Sequence, residues 1–202
     1  SIDRTTWPEL AANRTASASG RNIPGLLAAL NTAGGLKTLS PDMDPESRRK
    51  LLTDALTSGS AKRGRQIYQR TAMACTTCHQ VGGKGGKLGP DLTTVGSYMT
   101  PESLLESLLN PSTDIKQGYE TVIVTRKDQT VVSGLLQRKT DTSVLVRDPS
   151  GKVVSIPAGD VAKVDTSPVS LMPPGLTASL RRDELVDLMT FLTSLGVEPA
   201  GQ

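Results

Sequence analysis

The spacing of apolar residues divides the chain into a helical first part, a middle part of strands and a helical end. Asp44-Pro45-Glu46 predicts a helix start, with an N-cap acceptor, a proline at the first helical position and an acid in the first turn. Gly59 ends the apolar stripe that follows, which consists of Leu51, Leu52, Ala55 and Leu56. Further helices are predicted from Ser60 to about Arg70 and from Thr100 to Asn110.

The first 40 residues are weakly organised. Short helical turns are predicted at 8–10 and 23–30, the second ending near Gly34-Gly35. Together with the helix that begins after Asp44, they suggest an N-terminal helical extension over 1–58 that packs without chemistry.

Between positions 118 and 167 the period changes from helical to alternating, and short valine-rich runs are separated by turn residues. Because closure removes exposed edges, we expect a small antiparallel β-barrel. Its five predicted strands are 119–126, 130–138, 142–147, 152–157 and 160–165. Helical spacing then resumes until Gly196 through Leu180, Leu185, Leu188, Met189, Leu192 and Leu195.

The segment Cys75-Thr76-Thr77-Cys78-His79 contains every cysteine and the one histidine of the chain. This pattern attaches a c-type haem: each thiol adds to a vinyl group of the porphyrin, and the histidine then binds the iron. A structural zinc site needs four ligands, and only three exist here. A redox dithiol is expected near a βαβ pattern, and a plain disulfide leaves His79 unexplained. The sequence therefore predicts one haem c bound through Cys75 and Cys78.

Composition agrees with a bound porphyrin. The chain has only five aromatic residues, so a haem would supply apolar bulk that the side chains lack. The formal charge of +3 is mild, and no lysine or arginine run supports nucleic-acid binding.

No apolar stretch approaches the roughly 20 residues that span a bilayer. Haem c is attached outside the cytoplasm, so we expect a periplasmic or other extracytoplasmic bacterial protein. The polar start Ser1-Ile2-Asp3 shows no signal peptide, which favours a piece of a longer secreted chain over a chain whose targeting segment was removed.

The second iron ligand is predicted among five methionines. Met172 stands in Ser170-Leu171-Met172-Pro173-Pro174-Gly175, where two prolines stiffen the backbone and no helix competes for the side chain. Met73 is close to Cys75, Met189 lies on the apolar stripe of the last helix, and Met43 lies in a polar linker. Met172 is favoured, with Met99 and an open or water-bound site as alternatives.

These features resemble class I cytochrome c. The resemblance implies that the first and last helices of the haem core cross at Gly64, and that the carbonyl of Pro90 accepts a hydrogen bond from His79. It rests on the Gly64/Tyr68 helix, Cys75-Thr76-Thr77-Cys78-His79, Leu88-Gly89-Pro90-Asp91-Leu92, Leu171-Met172-Pro173-Pro174, and a final helix with Leu188 and Phe191-Leu192.

The resemblance implies an α+β protein, with an all-α cytochrome core interrupted by an insert that looks like an Sm-like or SH3-like barrel. The core occupies 59–117 and 168–202, and the insert occupies 118–167. The arrangement is similar to haem-binding domains at the C-terminal ends of large secreted dehydrogenase-like proteins of planctomycetes.

The expected function is one-electron transfer rather than catalysis. The donor would be a dehydrogenase, fused upstream or bound transiently, and the acceptor another cytochrome or an oxidase. The alternative is a peroxidase-like haem enzyme or a gas or redox sensor with a labile sixth ligand. The insert either docks a partner or shields the haem, and Lys84 and Lys87 either steer an acidic partner or keep their loop soluble.

Overall fold

The computed structural model describes residues 43–197. The helical turns predicted at 8–10 and 23–30 lie outside this range. The helices are α1 Pro45–Thr57, α2 Ala61–Tyr68, α3 Cys75–Cys78, α4 Val95–Tyr98, α5 Pro101–Leu109 and α6 Arg182–Ser194. The strands are β1 Gln80–Val81, β2 Lys84–Gly85, β3 Thr121–Arg126, β4 Val131–Lys139, β5 Ser143–Arg147, β6 Val153–Pro157 and β7 Val161–Ser167.

The predicted helix starts are confirmed by their caps. The carboxylate of Asp44 accepts hydrogen bonds from the backbone N–H groups of Glu46 and Ser47, at 3.0 and 2.9 Å. Ser60 and Thr100 cap α2 and α5 in the same manner. Each cap pairs an amide that has no partner within its helix. The stripe of α1 is narrower than predicted, because Leu56 is 64% exposed.

Helix α6 is the centre of the helical core. Its apolar residues are almost fully buried, and α1, α2, α4 and α5 pack against it. The crossing with α2 is at Gly64, where an added Cβ would lie 1.9 Å from the backbone oxygen of Asp187. The rings of Tyr68 and Phe191 meet beside it, with centroids 5.5 Å apart. The crossing expected from the resemblance is therefore confirmed.

A buried carboxylate fastens the same crossing. Asp187 accepts two hydrogen bonds from the guanidinium of Arg63, at 2.5 and 2.8 Å, and one from the backbone N–H of Ser60 at 2.7 Å. These bonds favour the charged form and hold the pKa of Asp187 below its ordinary value. Nearby, Arg70 pairs with the largely buried Glu184 at 2.7 Å.

The strand-rich region forms one antiparallel sheet with the order β6-β5-β4-β3-β7. The strands that come first and last along the chain, β3 and β7, are neighbours in this sheet, since Thr121 of β3 pairs with Ser167 of β7. The chain therefore leaves the helical part and returns to it at nearly the same place. One face of the sheet buries β-branched residues, namely Val122, Val124, Val144, Val146 and Ile156.

Two parts of the predicted fold are wrong. The sheet is not a closed barrel, because β6 and β7 are its two edges and no ladder joins them. The core is not all-α either, since β1 and β2 form a hairpin directly after the haem motif, with Gln80 opposite Gly85. The broad class, helices combined with an antiparallel sheet, is as predicted.

Candidate haem site

The attachment motif folds as a single helical turn. Ala74 adopts the left-handed conformation, with φ 52° and ψ 8°, and so ends the short 3₁₀ turn Thr71–Met73 and begins α3. Cys75 and Cys78 stand at the two ends of α3, both half-buried and not joined by a disulfide. The backbone N–H of His79 donates to the carbonyl of Cys75 at 2.8 Å and closes the turn. The backbone of the motif thus forms one closed helical turn.

The ring of His79 is oriented from one side. Its Nδ1 lies 2.8 Å from the carbonyl oxygen of Pro90, and because a carbonyl only accepts, Nδ1 is the protonated nitrogen. The unprotonated nitrogen, Nε2, makes no hydrogen bond within the described part of the chain. An added Cβ at Gly89 would lie 2.5 Å from Cε1 of the ring, so only glycine permits this approach. The geometry leaves Nε2 as a free lone pair for a metal.

The segment that carries Pro90 is folded back onto the attachment turn. The N–H groups of Leu88 and Gly89 both donate to the carbonyl of Cys78, at 3.1 and 2.8 Å. On the other side, the hydroxyl of the buried Tyr68 donates to the carbonyl of His79 at 3.0 Å. The motif is therefore hydrogen-bonded to α2 on one side and to the segment after the hairpin on the other.

The electrostatics of the site favour neutral groups. Burial lowers the pKa of His79, and its hydrogen bond to Pro90 only partly opposes this. A neutral imidazole is the form that binds a metal. Burial also raises the pKa values of both thiols, and it raises that of Tyr68 to about 12. A redox-active dithiol needs a lowered thiol pKa, so these cysteines do not resemble one.

The donor set fits haem c. Two half-buried cysteine side chains lie at the ends of one helical turn, and directly after it comes an imidazole nitrogen with no hydrogen-bond partner among residues 43–197. The structure thus brings together Cys75, Cys78, His79 and Pro90.

Met172 lies on a separate segment, between β7 and the 3₁₀ turn Leu176–Ser179. It is half-buried, and its backbone N–H donates to the hydroxyl of Ser170 at 3.1 Å. No hydrogen bond joins its segment to His79 or Pro90 within residues 43–197. Its role as a ligand therefore rests on the sequence.

Residues 61–130 match the family model described as Cytochrome c. This match supports a c-type cytochrome. It includes the attachment motif and Pro90 and ends in the turn after β3, so Met172 and α6 lie outside it. No curated protein matches the chain. The cofactor is haem c, attached covalently through Cys75 and Cys78.

Sequence reasoning missed two features of the site. The hairpin β1–β2 is absent from the predicted elements, although Gly82-Gly83 is a strong signal for a tight turn, and both glycines have positive φ. The approach of Gly89 to the imidazole was also missed. Its signal is weaker, because a glycine before a proline also marks an ordinary turn.

Proposed function

We propose that this chain is a one-electron carrier, and not an enzyme, whose haem c iron is bound by His79 and Met172. Haem iron supplies a one-electron couple, and a thioether opposite histidine raises its potential. The single observation that supports Met172 is the position of the other four methionines. Met73 and Met189 are buried in the helical core, and Met43 and Met99 pack against it. Met172 is the methionine that the core leaves free.

The residues around His79 support a carrier. Pro90 and Gly89 hold the imidazole in one orientation, and Tyr68 holds the backbone carbonyl of the same residue. A ligand that is held in both oxidation states needs little rearrangement when an electron arrives or leaves. The site also has a single histidine, so no second imidazole is present to act as the acid-base group of a peroxidase.

A partner surface is supported next to the motif. Lys84 and Lys87 are exposed on and after the β1–β2 hairpin. A cleft lies between this region and the sheet, lined on one side by Thr77 and 85–88 and on the other by Arg147 and 149–151. Small basic surfaces of this kind suit brief contacts with an acidic redox partner.

We infer that the donor is a dehydrogenase, fused upstream or bound transiently, and that the acceptor is another cytochrome or an oxidase. The fused form is suggested by the resemblance of the sequence to C-terminal haem domains of large secreted dehydrogenase-like proteins. We also propose a periplasmic or other extracytoplasmic location, because haem c is attached outside the cytoplasm. No helix within residues 43–197 is long and apolar enough to cross a membrane.

The visible spectrum of the reduced haem protein, with and without carbon monoxide, tests the ligation. Met172→Leu and Met99→Leu both remove a sulfur while keeping the side-chain volume nearly constant. We expect carbon monoxide to leave the spectra of the parent and Met99→Leu unchanged, and to bind to Met172→Leu. If the parent binds carbon monoxide readily, the sixth position of the iron is open or labile. The hypothesis of a haem enzyme or sensor then replaces that of an electron carrier. If only Met99→Leu opens the site, Met99 is the ligand.

A further inference from the structure

The segment that carries Met172 has almost no regular structure of its own. It contains Pro168, Pro173 and Pro174, which have no backbone N–H to donate. Within the described residues, every hydrogen bond of the backbone of 169–172 has a side-chain hydroxyl as its partner. Side-chain hydroxyls are therefore the hydrogen-bond partners of this part of the backbone.

One of these hydroxyls belongs to the sheet. Thr121, the first residue of β3, is 8% exposed, and its Oγ1 donates to the carbonyl of Val169 at 2.7 Å. Thr121 also pairs with Ser167, the last residue of β7, through the strand ladder. The hydroxyl of Ser167 in turn accepts from the N–H of Val169 at 3.1 Å. Both polar groups of the Val169 backbone are thus tied to the point where the sheet begins and ends.

A second attachment comes from the turn after α5. The hydroxyl of Ser112 accepts from the N–H of Ser170 at 3.1 Å. The hydroxyl of Ser170 then accepts from the N–H of Met172 at 3.1 Å. Residues 110–113 and Pro174 also line one shallow cleft, so the two segments lie side by side. The bonds form a chain that leads from α5 and the sheet to Met172.

We propose that Thr121, with Ser112 as a weaker second anchor, is a positioning residue that holds Met172 at the iron. This gives the sheet a role in ligation, because its first and last strands clamp the segment just ahead of the methionine. The inference rests on the proposed His79/Met172 ligation.

The thioether of Met172 and an external ligand would compete for the same position at the iron. A methionine on a stiff, anchored segment rebinds at once when it dissociates, so an external ligand competes poorly. Without the Thr121 hydroxyl, the carbonyl of Val169 loses a partner and the segment gains freedom. The loss of one such hydrogen bond corresponds to a change of about tenfold in the competing equilibrium.

Imidazole binding to the oxidised haem protein, followed by the visible spectrum, measures this competition. Thr121→Val keeps the shape of the side chain and removes its hydroxyl, and we expect the affinity for imidazole to rise about tenfold. Thr121→Ser keeps the hydroxyl and should behave like the parent. Thr166→Val, at an exposed threonine of β7, is the matched control and should also leave the affinity unchanged. Ser112→Ala changes an exposed residue and should give a smaller rise without affecting folding.

Met172→Leu separates the two hypotheses. If it raises the affinity for imidazole strongly while Thr121→Val and Ser112→Ala do not, the ligation stands and the positioning role is wrong. If Met172→Leu leaves the affinity unchanged, Met172 is not a ligand and both hypotheses fail. An equal rise in Thr121→Val and Thr166→Val would indicate general loosening of the sheet, which also contradicts the proposal.

Discussion

The helical core and the sheet are stabilised in different ways. The buried face of the sheet consists of β-branched side chains with no ionisable group among them. The helical core buries carboxylates, Asp187 and Glu184, whose partners lie on or next to α2. Close approaches at glycine occur in both regions, at Gly64 between α2 and α6 and at Gly134 beside the end of β5. The sheet thus completes its own small core from alternating valines, whereas the helical core also depends on charged pairs that join its helices. The chemistry lies in the region with the buried charges.

This difference predicts that the two regions depend unequally on the cofactor. The sheet buries its apolar face with side chains alone. The helical part carries the attachment motif, so we expect the porphyrin to complete its core.

The largest effect is expected from the double variant Cys75→Ser/Cys78→Ser. It has no thiol to add to a porphyrin, so mass spectrometry should find no covalent haem. Hydrogen exchange should show amides of α2 and α5 losing at least about 2 kcal/mol of protection, because a ligand that binds only the folded state stabilises it. Amides of β3 and β4 should keep theirs. An equal loss in both regions would show that the sheet is not independent of the haem core.

A large but smaller effect is expected at the helix crossing. In Gly64→Ala, the new Cβ would meet the backbone oxygen of Asp187 at 1.9 Å, so α2 and α6 must separate. We expect the free energy of unfolding to fall by about 3 kcal/mol in denaturant titrations. Gly159→Ala is the control in the sheet region, since an added Cβ there meets nothing within 4 Å, and should change stability by less than about 0.5 kcal/mol. A similar loss in both variants would contradict the comparison.

The smallest of these effects concerns pH. The pKa of Asp187 in the folded state lies below its ordinary value of 3.8, so its contribution to stability is present above pH 3.8 and is lost as pH falls through the folded-state pKa. At neutral pH, Asp187→Asn should therefore lower the free energy of unfolding by about 2 kcal/mol.

The difference between the parent and Asp187→Asn should shrink as the pH falls below about 4, which urea titrations at several pH values would measure. Asp165→Asn is the control, because its ion pair with Lys163 is largely exposed and surface pairs contribute little. If the difference in free energy of unfolding between the parent and Asp187→Asn stays constant down to acid pH, the charge of Asp187 does not stabilise the crossing of α2 and α6.

The helix starts and the strands were predictable within one or two residues in most cases, because their signals are local. Asp44, Ser60 and Thr100 carry their capping groups on their own side chains, and alternation marks each strand. Closure of the sheet was not predictable. Closure depends on the curvature of the sheet, and register shifts such as those at Thr125/Arg126 and Leu136/Arg138 change that curvature. The sequence of a single strand contains no signal for closure.

The sequence by itself determined the cofactor chemistry. The two thiols and the imidazole lie within five consecutive residues, so their proximity does not depend on tertiary packing. It also indicated Met172 as the candidate second ligand, which stays a prediction. The tertiary structure alone decided which groups hold those residues in place. Ser60 meets Asp187 across 127 positions, and Thr121 meets Val169 across 48. Such bonds depend on how separate elements pack, and the sequence around a hydroxyl or carboxylate does not show a partner that lies on a distant element.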